Sequence, residues 1–527
     1  MSELVLKHGL IYTLAREFPQ AEAMFIRDGK IIWVGENIAV DQFVGSNTEV
    51  ISLEGKTVIP GLIDAHIHLQ KYAFSLSYVD CETQQLADCI KRVEEKAQRT
   101  PHGEWILGHG WDQNYWDTYG TASQLDMVAP DHPVYLTAKS LHAAWVNSRA
   151  LHSGGISAST KDPDGGAIQR HDDNAPTGIL FEEAMMLVSG KIPVPEQAQI
   201  SSAIEQAQSK LHAYGITSVH DFDGVNCFRA LQKLHSNDKL RLRVLKNIPV
   251  AHLDSVLDLG MQTGFGNDFI RMGNVKLFSD GALGPHTAAM LTPYYHDEEN
   301  SGILLLDSET IVEIGIRAAR GGLGLTVHAI GDRANHVTLD AYEEIRRFEA
   351  GTLHDLLPHR VEHLQLLHPD DLDRAASLGI IASMQPTHAT SDMDAANLYW
   401  GERTRYAYAW NTQLRHGAQL YFGSDAPVES PNPFWGLHAA VTRQKRGSTT
   451  IENSWIPEEL ITIEDALTAY TFAPGLAFSP TRIGLLRSGY EADLVLLDVD
   501  PFHIPPHELS EVKPVGTIQA GQWVYRA

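Results

Sequence analysis

Val58-Ile-Pro-Gly-Leu-Ile-Asp-Ala-His-Ile-His68 is an apolar run that ends in two histidines one residue apart. On a β-strand, residues i and i+2 point to the same face. Read as one strand, the run aims the imidazoles of His66 and His68 at a single point. Neutral imidazole is the commonest nitrogen ligand for zinc and related ions. Two neighbouring histidines without a ligand role are the plainer alternative, and the choice falls to the rest of the chain.

A chain of 527 residues exceeds one ordinary domain and predicts two or three, one of them a large barrel. With 43% hydrophobic residues and no low-complexity tract, it is expected to fold around a sizeable core. A formal net charge of −25 argues against a nucleic-acid or anionic-membrane partner without selecting a substrate; the expected partner is a small molecule. Cys81, Cys89 and Cys227 form no Cys-x-x-Cys pair, which excludes a disulfide framework and a cysteine-ligated zinc and fits a reducing cytoplasm. The N-terminus shows no basic segment followed by an apolar one, and no run of about 18 apolar residues predicts a membrane span. A homodimer is compatible with all of this.

Outward from the opening stretch, both chain ends read as β-structure. Glu3 to Leu6, Ile11 to Leu14, Ala23 to Arg27 and Lys30 to Val34 are strand-like, with Asp28-Gly29 as a hairpin turn. Ala492 to Leu497, Val515 to Ile518 and Trp523 to Tyr525 have the same texture. The two ends, 1–57 and 480–527, are expected to build one small β-sandwich. Residues 71–190 read as an inserted α+β block covering the site, with a helix at Leu86 to Arg99, strands at Trp105 to Trp111 and Val134 to Ala138, and a helical stretch opening at His142.

The remainder, 58–70 plus 191–479, alternates strands with helices. Strands are expected at Ile216 to Phe222, Arg241 to Ile248, Gly273 to Phe278, Leu323 to His328, Pro358 to His363, Ile380 to Met384 and Ala418 to Phe422. With the opening strand they make eight, the signature of an α/β protein built as a (β/α)₈ TIM barrel. Active sites of such barrels sit at the C-terminal ends of the strands. Residues able to bind metal fall there: His66 and His68 on strand one, Lys276 on strand four, His328 on five, His363 on six and Asp425 after eight. Each alone has a structural explanation; the set does not.

The same residues carry a family resemblance. Pro-Gly-Leu-Ile-Asp-Ala-His-Ile-His, the strand-five and strand-six histidines and Gly423-Ser424-Asp425 resemble the amidohydrolase superfamily of metal-dependent hydrolases. Within it the chain is similar to the YtcJ-like branch, which includes N-substituted formamide deformylases. The motifs pointing there are Leu-Thr-Val-His-Ala-Ile-Gly-Asp-Arg-Ala (325–334), Arg-Val-Glu-His-Leu-Gln (360–365), Lys-Leu-Phe-Ser-Asp-Gly-Ala-Leu-Gly (276–284) and Ser-Leu-His-Ala-Ala-Trp-Val-Asn (140–147). Pro285-His286 departs from the small residue and arginine expected there.

The resemblance implies two divalent ions, zinc first, with manganese, iron or nickel as alternatives. It implies that Lys276 is carboxylated to a bridging carbamate, a mononuclear site with an unmodified lysine being the alternative. His66, His68, the carbamate and Asp425 would hold one ion, His328 and His363 the other. Asp425 would also move the proton of the attacking water to the leaving nitrogen, or else act as ligand only. The implied reaction is hydrolysis of a non-peptide C–N bond by a metal-activated hydroxide, the bond being an amide, N-substituted formamide or cyclic amide. Hydrolysis of an ester, a carbamate or a deamination target, and a non-catalytic interaction role, are the alternatives. Trp111, Asp112, His142, Asp280 and Gly281 are substrate-binding candidates. His220-Asp221 has a supporting role as one reading, and Glu362, by strand alternation, is expected to point away from the site.

Overall fold

The stretch from Val58 to His68 is two strands. In the computed structural model, which describes residues 2–139, 143–352, 356–448 and 454–527 (residues 114 and 115 without their side chains), Thr57–Pro60 and Leu62–Ile67 belong to different sheets. Every residue in both is buried, so the apolar run carries no sign of the break. Gly61 makes the crossing: a Cβ there would lie 2.4 Å from Thr217 Oγ1, and its N–H donates to Asp493 O at 2.8 Å. Only a residue without a side chain passes between the two sheets at that distance.

Leu62–Ile67 is the first strand, β1, of an eight-stranded parallel barrel. The others are β2 (Ile216–Asp221), β3 (Arg243–Pro249), β4 (Ile270–Phe278), β5 (Leu325–Ala329), β6 (Arg360–His363), β7 (Ile381–Met384) and β8 (Leu420–Phe422). Consecutive strands pair in parallel register from β1 to β8. All eight expected strands are present, their ends displaced by a few residues at most. The seam between β8 and β1 is closed by the loop after β8: Asp425 N–H donates to His66 O at 2.7 Å and His68 N–H to Ala426 O at 2.9 Å. Helices such as α1 (Val225–Ser236), α2 (Ser308–Arg320), α3 (Asp332–Thr352) and α4 (Pro386–Trp400) lie between successive strands.

The barrel interior is polar. Arg360 on β6 donates to Ala65 O and Ser383 Oγ, both at 2.8 Å, and pairs with Glu362 Oε1 at 2.8 Å. Buried charges persist only when paired and hydrogen-bonded, and these satisfy that condition.

The chain ends form the expected sandwich. One sheet holds Glu3–Lys7, Ala23–Arg27, Lys30–Gly35 and Thr48–Ser52; the other holds Leu10–Tyr12, Gln20–Ala21, Thr57–Pro60, Leu494–Leu497, Pro514–Gln519 and Gln522–Arg526. Leu6, Met24 and Ile26 of the first pack with Ile11, Val58 and Leu494 of the second. Asp28 and Gly29 both take positive φ, as a two-residue hairpin turn requires. Arg243 of β3 ties sandwich to barrel, fully buried, with Nε 2.7 Å from Asp493 Oδ2 and Nη2 3.1 Å from Glu491 Oε2.

Residues Ala73–Gln199 are a separate compact unit. Its mixed six-stranded sheet contains Val79–Asp80, Ile106–Trp111, Val134–Ala138, Ala143–Val146, Gly166–Arg170 and Pro176–Glu182. Helix Leu86–Ala97 falls where expected. The helical stretch expected from His142 is not what forms: Ala143–Val146 is a central strand, and the helix begins at Ser148, capped by Asn147. A four-residue run buried on both faces has no strand periodicity to display. Among the described residues no helix is long and apolar enough to cross a membrane.

Candidate metal centre

His66 and His68 converge as the i, i+2 spacing requires. Their Nε2 atoms lie 3.5 and 3.6 Å from the same atom, Asp425 Oδ1. Each ring is fixed from behind. His66 Nδ1 is 2.6 Å from Glu362 Oε2, and His68 Nδ1 is 3.2 Å from Asp223 Oδ1. Each carboxylate accepts a hydrogen bond from Nδ1–H, so each Nε2 presents a lone pair to the space beside Asp425. The His66 ring also stacks on Phe222 at 4.0 Å.

Asp425 reaches this point from a left-handed backbone, φ +59°. Asp64, inside the opening motif, holds that loop: it accepts Ser424 N–H at 3.0 Å, Ser424 Oγ–H at 2.5 Å and His66 N–H at 3.1 Å. Burial pushes its carboxyl up to about 7 against those three bonds. Its placement between Ile63 and Ala65 in an apolar strand was the available signal for this role.

His363 also has a left-handed backbone, φ +74°, followed by Leu364 at +43°. Such conformations are costly and concentrate at functional sites. Its Nδ1 is buried with no hydrogen-bond partner among the described residues. The ring lies 5.2 Å from His66 and 4.5 Å from His328. His328 donates Nε2–H to Gly281 O at 2.9 Å, which leaves its lone pair on Nδ1. Burial first, then nearby cationic groups, drives the pKa values of His66 and His363 well below the ordinary range and that of His328 to about 3. These three imidazoles are therefore neutral, the form that ligates metal.

Lys276 is buried on β4 with Nζ 4.8 Å from the Phe222 ring and 4.9 Å from the Phe278 ring. Desolvation lowers its pKa to about 8, with Glu362 and Asp425 pulling the other way. Ligand atoms of His66, His363 and Asp425 all lie within 4.8 Å of one another. Imidazole and carboxylate donors, with an orphaned buried nitrogen among them, fit a divalent first-row ion.

Glu362 is the principal correction. Alternation places it with Arg360, pointing into the barrel, where it holds His66. His363 reaches the site because the chain leaves strand geometry at that residue, so both neighbours serve one centre. Asp223 was also missed: its carboxylate accepts Gln70 N–H at 2.6 Å and Lys71 N–H at 3.2 Å besides His68. Asp221, Asp223 and Cys227 make a second cluster of metal-competent atoms, but Lys246 occupies it, 2.7 Å from Asp221 Oδ2. His220 bonds Arg360 Nη1 at 2.8 Å, away from the ligands. His388, just beyond β7, had no motif to mark it; its Nε2 is buried, unpartnered among the described residues and 4.0 Å from Asp425 Oδ2.

Asp280 accepts N–H bonds from Ala289, Ile330 and Gly331 at 2.9, 3.0 and 2.8 Å, bracing the loop after β4 against the end of β5. Gly281 packs so closely that a Cβ would lie 2.1 Å from Thr287 Oγ1. His286, in the loop after β4, stacks on Tyr294 of the same loop and packs at 60° against Tyr399 of α4. Trp111 is fully buried in the core of the inserted unit, its indole N–H donating to Leu136 O at 2.8 Å, with half-buried Asp112 next in the chain. His142 lies outside the described residues.

Neutral imidazoles and a carboxylate gathered at the C-terminal mouth of a (β/α)₈ barrel define a metal-dependent hydrolase. The chain belongs to the amidohydrolase family, whose sequence model matches residues 49–525. It is 32% identical over 531 residues to the putative amidohydrolase YtcJ of Bacillus subtilis (strain 168), covering 98% of each chain. It is 29% identical over 556 residues to the N-substituted formamide deformylase of Arthrobacter pascens, covering 99% of this chain and 98% of that one. An uncharacterized metal-dependent hydrolase from Pyrococcus horikoshii OT3 superposes with a TM-score of 0.80 at 29% identity, covering 96% of this chain and 99% of that one.

Proposed function

We propose that this chain hydrolyses a non-peptide C–N bond in a small molecule: an amide, an N-substituted formamide or a cyclic amide. The observation that carries the proposal is the convergence of His66, His68 and His363 on Asp425, with both strand-one rings locked from behind by carboxylates. Similarity to a formamide deformylase over nearly the whole chain supports this bond class.

His66, His68, His328, His363, Asp425 and a carbamate on Lys276 would hold divalent ions, zinc first, which would supply Lewis acidity and lower the pKa of a water to about 7. Asp425 then takes a proton from the attacking water as its oxygen adds to the carbonyl carbon. The carbonyl π pair becomes an oxyanion. When the tetrahedral species collapses, the pair re-forms the carbonyl, the C–N bond breaks, and Asp425 returns the proton to the leaving nitrogen. His66 and His68 keep their orientation throughout, because Glu362 and Asp223 hold their Nδ1 atoms.

The Lys276 amine suits carboxylation. A shift from 10.5 to about 8 raises its neutral fraction at pH 7 roughly 300-fold. That neutral amine adds to carbon dioxide and releases one proton. A cytoplasmic setting is supported by three buried cysteines, none in a disulfide. The test is a hydrolysis screen of N-formyl amines, N-acyl amines and lactams with zinc- or manganese-loaded protein, read as amine release. Turnover of esters alone, or of nothing, would defeat the proposed bond class.

A further inference from the structure

The end of β7 concentrates unsatisfied polar groups. Within four residues, Gln385 Nε2, Thr387 Oγ1 and His388 Nε2 are all buried with no hydrogen-bond partner among the described residues. The three residues are 2%, 6% and 8% exposed. Buried polar groups are nearly always hydrogen-bonded, and exceptions call for a partner the chain does not supply. All three groups are able to donate.

Their direction is set by the fold. Ser383 on β7 faces the barrel interior, where it accepts from Arg360. Gln385, two residues on, continues that face toward the mouth. Pro386 then opens α4 at a position that needs no N–H, and His388 follows in the first turn. The His388 ring lies nearly parallel to His363, at 6.0 Å and 14°. Its Nε2 is 4.0 Å from Asp425 Oδ2, whereas His66 and His68 lie against Oδ1 of the same carboxylate. The metal-binding histidines and His388 thus flank Asp425 on its two oxygens. The 15-residue helix α4 adds the positive end of its dipole at this point.

We propose that His388 is a catalytic residue: its Nε2–H donates to the carbonyl oxygen of the substrate and to the oxyanion that replaces it, with Gln385 and Thr387 lining the same station. The inference rests on the hydrolytic reading of the site. Three donors and a helix N-terminus suit an oxygen acceptor, and the neighbouring Asp425 carboxylate favours the tautomer with hydrogen on Nε2. A donor aimed where charge develops in the transition state lowers the barrier without weakening ground-state binding.

The test compares wild type, His388→Phe and His388→Gln, each loaded with zinc. Three quantities are read: metal content by elemental analysis, kinetics on formanilide, and calorimetric affinity for methylphosphonate, a stable tetrahedral oxyanion. His388→Phe is expected to keep the wild-type metal content, lose kcat roughly 100-fold with KM changed by less than about threefold, and bind methylphosphonate at least ~10-fold more weakly. His388→Gln, which places an amide N–H near the Nε2 position, is expected to recover part of both losses. Loss of metal in both variants would make His388 a ligand and overturn the proposal. Unchanged affinity for methylphosphonate, or no binding of it by the loaded wild type, would overturn it equally. If the wild type cleaves no amide, the proposed function fails, and the methylphosphonate comparison alone decides this inference.

Discussion

Replacing Glu362 with glutamine separates two jobs that one carboxylate performs. Oε2 lies 2.6 Å from His66 Nδ1, and Oε1 lies 2.8 Å from Arg360 Nη2 and accepts from Thr326. The side chain is completely buried, and so is its environment. Glutamine keeps the shape and removes the charge. At His66 the loss frees the ring tautomer and weakens the ligand; removing such a partner lowers metal affinity roughly 10–100-fold, or about 1.4–2.7 kcal/mol. At Arg360 it leaves a buried guanidinium without a counter-charge, a change that costs about 3–5 kcal/mol of stability. Burial pushes the Glu362 carboxyl up, yet the Arg360 guanidinium leads the effects that outweigh it and hold the pKa below its ordinary 4.5. A carboxyl with a depressed folded pKa stabilises above its unfolded pKa and loses that contribution as pH falls through the folded value. The stability gap between wild type and Glu362→Gln is therefore full at pH 7 and closes on acidification below the ordinary carboxylate range. Chelator competition gives the metal affinity and urea unfolding the stability. In Glu362→Gln with Arg360→Met, stability recovers but metal affinity does not. Metal affinity within about threefold of wild type in the single variant would refute the assigned hold on His66.

Asp425→Asn should lose turnover by roughly 10²–10⁴-fold while elemental analysis finds most of its metal retained; near-normal kcat would remove Asp425 from proton transfer. Lys276→Ala should lose one or both metals, and unchanged stoichiometry would argue against a bridging carbamate. Reactivation of metal-free wild type at fixed dissolved carbon dioxide should rise about tenfold per pH unit below pH 8 and then level, because only the neutral amine of Lys276, with its pKa of about 8, reacts; a flat profile would count against carboxylation. Arg243→Met should lower stability by about 3–5 kcal/mol, since it strands the buried Asp493 carboxylate in the sandwich–barrel contact, and an unshifted urea midpoint would contradict that.

Residues whose position follows from one repeating period were legible in the sequence. Strand–helix alternation gave all eight barrel strands, and the rule that sites lie at strand ends pointed to His66, His68, Lys276, His328, His363 and Asp425. The Asp28-Gly29 turn marked its hairpin because two positive φ angles demand that pair. Failures came where a local departure broke the period. Continuous burial hid the crossing at Gly61, and a four-residue apolar run hid the strand Ala143–Val146. Alternation was applied one residue too far at His363, whose φ of +74° lets adjacent residues face one centre, so Glu362 was set aside. Asp223 stands in the loop just past β2 and His388 in the first turn of α4, positions whose direction no hydrophobic pattern encodes.

The claim on which everything else depends is that this barrel mouth binds metal and uses it. The direct measurement is elemental analysis of the purified protein together with amide hydrolysis before chelation, after chelation and after metal is restored. The account predicts about one to two divalent ions per chain, activity lost with them and regained on zinc or manganese addition. A protein that binds no divalent ion when supplied with one, or whose hydrolysis is indifferent to chelation, would contradict it.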